Sequence, residues 1–247
     1  MKKRIIALLL LLALALTACT SAPKDTEDDK RVSEATDASE TEVTETTEES
    51  PEATATTEAT EETLPGQTDV DLGAIDGNAY RNETLGISCS FPEDWYIYNE
   101  TDLASLNKLV ESGFAHEAIA DIIEREETLI IFCASDPATM TSVQIAASKN
   151  TLPDAAADEA AIVRYFSPIV MQQAAESGMQ PVTGGGAEAD FCGQTHAVLM
   201  VSGETMGVSL YETLLYLPRG GLIYALSVTT TQESMIEECL GMFEAIQ

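Results

Sequence analysis

Tyr80-Arg81-Asn82-Glu83-Thr84-Leu85-Gly86-Ile87-Ser88-Cys89-Ser90-Phe91-Pro92-Glu93-Asp94-Trp95 decides how the rest of the chain is read. Ile87, Cys89 and Phe91 alternate with Ser88 and Ser90, the period-two pattern of a strand with one apolar face. Pro92-Glu93-Asp94 breaks that strand, because proline pre-sets a turn backbone and has no N–H for a ladder. Trp95-Tyr96-Ile97-Tyr98 resumes as a short strand. The turn aims Trp95 back over the face of Ile87 and Phe91, which predicts a core position for its ring. The alternative is that Trp95, Tyr96 and Tyr98, the richest aromatic cluster in the chain, form a recognition patch.

Downstream, the spacing predicts helices over 102–112 and 115–125, separated by Gly113, and strands over 128–134 and 142–148. Pro153-Asp154 opens a helical pattern running to Ser177 and closed by Gly178. Ile162, Phe166, Ile169, Val170 and Gln173 lie near one stripe of it, and Pro168 should kink or divide it. Strands follow at 180–183, 187–191, 194–203, 207–217 and 222–229, some of which can merge. Gly184-Gly185-Gly186 is read as a flexible hairpin connection, and Cys192-Gly193 and Arg219-Gly220-Gly221 as turns. Thr230-Thr231-Gln232-Glu233 reads as a capping box. The helix after it would show one apolar face of Met235, Ile236, Cys239, Met242, Phe243 and Ile246. Tight turns between strands favour antiparallel pairing. The expected fold class is α+β, a largely antiparallel β-sheet packed with helices, forming a single globular domain over 76–247.

Upstream the composition changes. The chain has 247 residues with 42 acids against 12 bases, a net charge of −30. All 14 aromatics lie between Tyr80 and Phe243, so a core can form only there. Residues 20–75 carry 17 acids against 3 bases, and residues 76–247 carry 25 against 6. This balance excludes nucleic acid as a partner, since neutralising phosphates takes clustered Lys and Arg. An anionic bilayer surface would repel the domain for the same reason.

Met1-Lys2-Lys3-Arg4 is a basic n-region, and Ile5 to Leu16 is an apolar run. That run is too short to span a bilayer, which takes roughly 20 residues, and fits a secretory signal. Leu16-Thr17-Ala18-Cys19 resembles a bacterial lipobox. The resemblance implies a signal peptide over 1–18 and a diacylglyceryl thioether on Cys19, palmitate-type acyl chains then holding the protein at the extracytoplasmic face of the cell membrane. Each buried methylene contributes roughly 0.8 kcal/mol, so two or more chains anchor firmly. Residues 19–75, rich in Thr and Glu, cannot bury enough apolar surface to offset their ordering entropy and read as a disordered tether. As a flexible chain its r.m.s. span is roughly 40 Å.

The run from Tyr80 to Trp95, followed by a helix, a central meander and a closing amphipathic helix, resembles the Mog1/PsbP-like fold. Its motif is a Tyr-Asn opening and a Phe-Pro-x-x-Trp turn. Many bacterial lipoproteins of unassigned function are similar to it, and the resemblance covers about residues 78–247. It implies an α/β/α sandwich and a binding or assembly module rather than an enzyme, with no shared catalytic residues. Cys89 stands where an aromatic or aliphatic residue is more usual.

The residues themselves offer little chemistry. His116 and His196 lack a ligand at helical spacing, so no metal role is assigned. Gly184-Gly185-Gly186 lacks the following Lys-Ser or Lys-Thr of a phosphate loop. There is no Gly-x-Ser-x-Gly elbow. Cys89, Cys133, Cys192 and Cys239 permit three full disulfide connectivities. None belongs to a CxxC pair, and three sit on apolar faces, which favours free buried thiols. No catalytic, cofactor or metal residue is assigned, and Cys19 is the one site residue. The expected function is a membrane-anchored, extracytoplasmic, non-catalytic binding or assembly module, its partner an envelope protein or a small ligand. The alternative is a surface hydrolase whose site assembles only in the fold.

Overall fold

The computed structural model describes residues 70–109, 113–152 and 158–246. The expected signal peptide, Cys19 and the tether up to residue 69 lie outside the described residues. In chain order the elements are β1 Ala74–Asp76, β2 Ala79–Asn82, β3 Ile87–Ser90, β4 Tyr96–Ile97, α1 Glu100–Leu106, α2 His116–Glu124, β5 Leu129–Asp136 and β6 Thr141–Lys149. Then come α3 Glu159–Glu176, β7 Thr183–Phe191, β8 Gln194–Thr205, β9 Val208–Arg219, β10 Leu222–Thr230, α4 Ser234–Gly241 and β11 Phe243–Ala245. The strands form a seven-stranded sheet, β4-β5-β6-β10-β9-β8-β7, and a four-stranded sheet, β1-β2-β3-β11. Pairing is antiparallel throughout. The fold class is α+β, as the alternation and turns foretold.

Register in the large sheet is set by two-residue turns. Cys192-Gly193 (φ 51° and 75°) joins β7 to β8, and Met206-Gly207 (φ 54° and 81°) joins β8 to β9. Two consecutive positive φ values match the right-handed twist of the flanking strands and lock their pairing. Strand β10 lies between β6 and β9 and is buried at every position. Leu222, Tyr224, Leu226 and Val228 face one cluster, and Ile223 and Ala225 the other. The first cluster takes in the small sheet, the Ile119, Ile122 and Ile123 side of α2, and Ile236, Cys239 and Leu240 of α4. The second takes in Ile162, Val163, Val170 and Ala174 of α3, with Leu103 of α1. The large sheet is thus covered on both sides, but one covering layer is shared between helices and a second sheet.

The small sheet holds the aromatic centre. Tyr80 stacks on Phe132 at 4.3 Å, Phe91 lies 5.0 Å from Trp95, and Phe243 meets Phe91 edge-on at 6.3 Å. Trp95 is 7% exposed. It is a core residue, and the recognition-patch alternative fails for it; Tyr96 remains exposed, its hydroxyl donating to Asp102 at 2.7 Å. Asn107 ties α1 to the large sheet, donating to the Ile130 carbonyl and accepting from the Ile130 amide, both at 2.8 Å.

Several boundaries differ from the sequence reading. Residues 70–75, assigned to the tether, belong to the fold: Val70 is buried and β1 pairs with β2. The Asp71 carboxylate accepts from the amides of Gly73 (2.8 Å) and Thr84 (2.9 Å) and so organises the turn after β2. Burial works to raise the Asp71 pKa, but the hydrogen bonds from Thr84, Gly73 and Glu83 together outweigh it and hold it below its usual value. Gly184-Gly185-Gly186 is not a connection but part of strand β7. A Cβ at Gly184 would come within 2.1 Å of the Met200 carbonyl oxygen, so glycine is required for this close approach to β8. The capping box does not form. Thr230 ends β10, its hydroxyl shared with Thr141 (2.9 Å) and accepting from the Gln232 amide (3.1 Å). Helix α4 begins four residues later without a side-chain cap.

The last helix also stops early. Phe243, expected on its apolar face, is in β11 opposite Cys89. Helix α3 starts at Glu159, where the Asp158 carboxylate caps the Ala161 amide, and is one element through Pro168. Pro168 and Arg164 both lie on the exposed face, where water can take the carbonyl left without its donor. Cys89, Cys133 and Cys239 are buried free thiols, and Cys192 is a half-exposed one.

Replacing Trp95 by alanine should cost about 3–5 kcal/mol, the range for truncating a large buried aromatic. Urea unfolding followed by circular dichroism measures it. A loss well under 1 kcal/mol would contradict the packing described.

Candidate functional site

A broad concavity of about 680 Å³ lies between the β7–β8 hairpin and α4. Its rim is acidic, with Glu188 and Asp190 from β7, Glu233 at the N-cap of α4 and Glu237 within α4. Its floor is apolar, with Met200, Ile236 and Leu240. Thr195 donates to Asp190 at 2.9 Å across the hairpin, which fixes that carboxylate on the rim. Among the described residues no Lys, Arg or His lines the groove. Strand β7 is moreover the edge of the large sheet, paired only with β8. The arrangement suits a partner with cationic groups and an apolar face, and repels anions.

His196 has found a partner that the sequence did not reveal. Its Nδ1 donates to the Glu159 carboxylate, 3.0 Å from each oxygen, and its ring meets the edge of Phe191. The pair clasps the first turn of α3 to β8. That bond occupies Nδ1 of the ring. His116 is exposed at the first position of α2. Among the described residues no group of three or more His, Cys, Asp or Glu side chains is placed to hold a metal ion. Among them, too, no helix is long and apolar enough to cross a membrane. The cysteine thiols lie in apolar surroundings: burial pushes Cys89 and Cys239 up to about 12 and raises Cys133 and Cys192 as well.

Sequence reasoning passed over the polar groups beneath α3. Glu212 is 2% exposed on β9, and neither carboxylate oxygen has a hydrogen-bond partner among the described residues. Gln144 on β6 and the Tyr216 hydroxyl on β9 are likewise buried and unpaired. Native interiors satisfy most such groups. The available signal was Glu212 itself, an acid interrupting the apolar stretch Leu210 to Leu217.

The sequence matches no protein-family model and no curated protein. Solved structures do resemble it. The cyanobacterial PsbP (CyanoP) of Synechocystis sp. PCC 6803 aligns at 12% identity over 70% of this chain and 98% of its own, with a TM-score of 0.40. LpqN of Mycobacterium tuberculosis, described as involved in cell envelope biogenesis, aligns at 14% identity over 64% of this chain and 82% of its own, with a TM-score of 0.34. A Bacteroides thetaiotaomicron protein aligns at 12% identity over 70% of this chain, TM-score 0.34, and this chain spans 50% of its length.

Glu212 yields a pH prediction. Burial pushes its pKa from 4.5 up to about 7. The folded protein therefore holds a proton that the unfolded chain releases between those limits. Stability from this group is full below about pH 4.5, declines as pH rises, and is lost above about pH 7. Glu212→Gln should match the parent at pH 4.5 and exceed it at pH 8 by up to about 3 kcal/mol. Urea midpoints at the two pH values check this, and parallel pH profiles for the two proteins would contradict it.

Proposed function

We propose that the protein is a bacterial lipoprotein, anchored through acyl chains on Cys19 to the extracytoplasmic face of the cell membrane, whose domain is a non-catalytic binding or assembly module. The lipobox supports the anchor. The acidic rim over an apolar floor is the observation that carries the binding role, because it is a shaped, charged recess. Acids that only kept the domain soluble would be spread evenly. Here four of them surround Met200, Ile236 and Leu240 on two elements that meet. The groove fits an envelope protein that presents cationic side chains beside an apolar patch. A small cationic ligand would use the same chemistry.

Two experiments bear on this. Cys19→Ser should abolish incorporation of labelled fatty acid and release the protein from membranes, since no other apolar run is long enough to hold it. Continued labelling of the variant would overturn the anchor. Glu233→Lys with Glu237→Lys, both on the solvent side of α4, should lower capture of the envelope partner by at least about tenfold. Capture is read as retention of envelope extract on the immobilised protein, against the parent in parallel. Unchanged retention would remove the groove from the proposal.

A further inference from the structure

A second, narrower cavity lies on the other side of the large sheet, under α3. In the register of the sheet Tyr216 of β9 stands beside Ala225 of β10, which stands beside Ala146 of β6. Two alanines next to a large ring leave a slot of about 80 Å³, and Phe166 of α3 closes it by stacking on Tyr216 at 5.0 Å. An apolar cavity of about 150 Å³ accepts benzene, so this one takes roughly three heavy atoms. Its walls are not wholly apolar. Thr128, Ser148 and Thr151 line it beside Leu152 and Ile223.

The same slot is lined by Lys149 and Glu126. Lys149, exposed at the end of β6, pairs with no carboxylate among the described residues, in a region where 25 acids face 6 bases. Glu126, half-buried with φ 56° in the turn after α2, is likewise not paired with it. One cation and one anion on the wall of a small, partly apolar hole complement a zwitterion with a short branched side chain.

We propose that this slot binds a free α-amino acid with a small branched apolar side chain, valine being the best match in size. The side chain enters between Phe166 and the two alanines. The carboxylate meets Lys149 and the ammonium meets Glu126. This site is separate from the acidic groove and does not depend on the lipid anchor, so its failure would leave the proposed function standing.

Calorimetric titration of the full-length protein in detergent tests it. L-Valine should bind, and 3-methylbutanoate (no ammonium), isobutylamine (no carboxylate) and glycine (no side chain) should each bind at least about tenfold more weakly. Ala225→Leu fills the slot and should abolish the heat. Lys149→Gln and Glu126→Gln, near the surface, should each weaken valine about five- to tenfold with an unchanged melting temperature, and they decide the matter if Ala225→Leu does not fold. No heat with valine at about 10 mM, or 3-methylbutanoate binding as tightly as valine, overturns the proposal. So does valine binding that survives both charge substitutions unchanged.

Discussion

Strand β10 is buried along its whole length, and the layers of the molecule follow from the need to cover both its faces. A strand with one wet face needs a single partner layer, whereas one that is apolar on both needs two. Ile223 and Ala225 are covered by α3. Tyr224, Leu226 and Val228 are covered from the other side, where helices alone do not suffice and the small sheet completes the layer. The position of β11 then makes sense. Pairing Phe243 with Cys89 puts a third aromatic ring against Phe91 and seals the joint between the chain's first and last described segments.

Much of this was legible in the amino-acid order, because it depends on neighbours along the chain. The alternation of Ile87, Cys89 and Phe91 marked a half-buried strand, and the Pro92 turn placed Trp95. Cys192-Gly193 and Gly220-Gly221 marked hairpins whose turn geometry needs positive φ. What was illegible depends on neighbours across the fold. Glycine usually punctuates, so Gly184-Gly185-Gly186 read as a break, yet in β7 its lack of a side chain is what lets the backbone lie against Met200. The pattern from Met235 to Ile246 continues a helical period, but the helix gives way at Gly241 and the chain pairs with β3 instead. Thr230 suits a cap by type, but the strand and the Thr141 hydroxyl claimed it first.

The grooves belong to the same class of hidden features. Glu188 and Glu233 are far apart in sequence and show no spacing that would group them; a hairpin and a helix bring them to one rim. The slot beneath α3 exists because Ala146 and Ala225 fall side by side, and a one-residue slip of β6 against β10 would move Ala146 to the opposite face and leave Ala225 without it. His196 likewise waited for Glu159 to arrive from another element. A recess made by register cannot be read from composition.

The burial of the thiols has a consequence for how the molecule opens. Only the thiolate attacks a sulfur or an alkylating reagent, and a group held near pKa 12 is ionised to roughly one part in 10⁵ at pH 7. Cys89, Cys133 and Cys239 sit in the small sheet, the large sheet and α4 respectively. Each is therefore silent until its own layer parts and then reacts as an ordinary cysteine. The chain carries three built-in timers, one in each of these elements. The order in which they take up a reagent is the order in which these parts of the protein come loose.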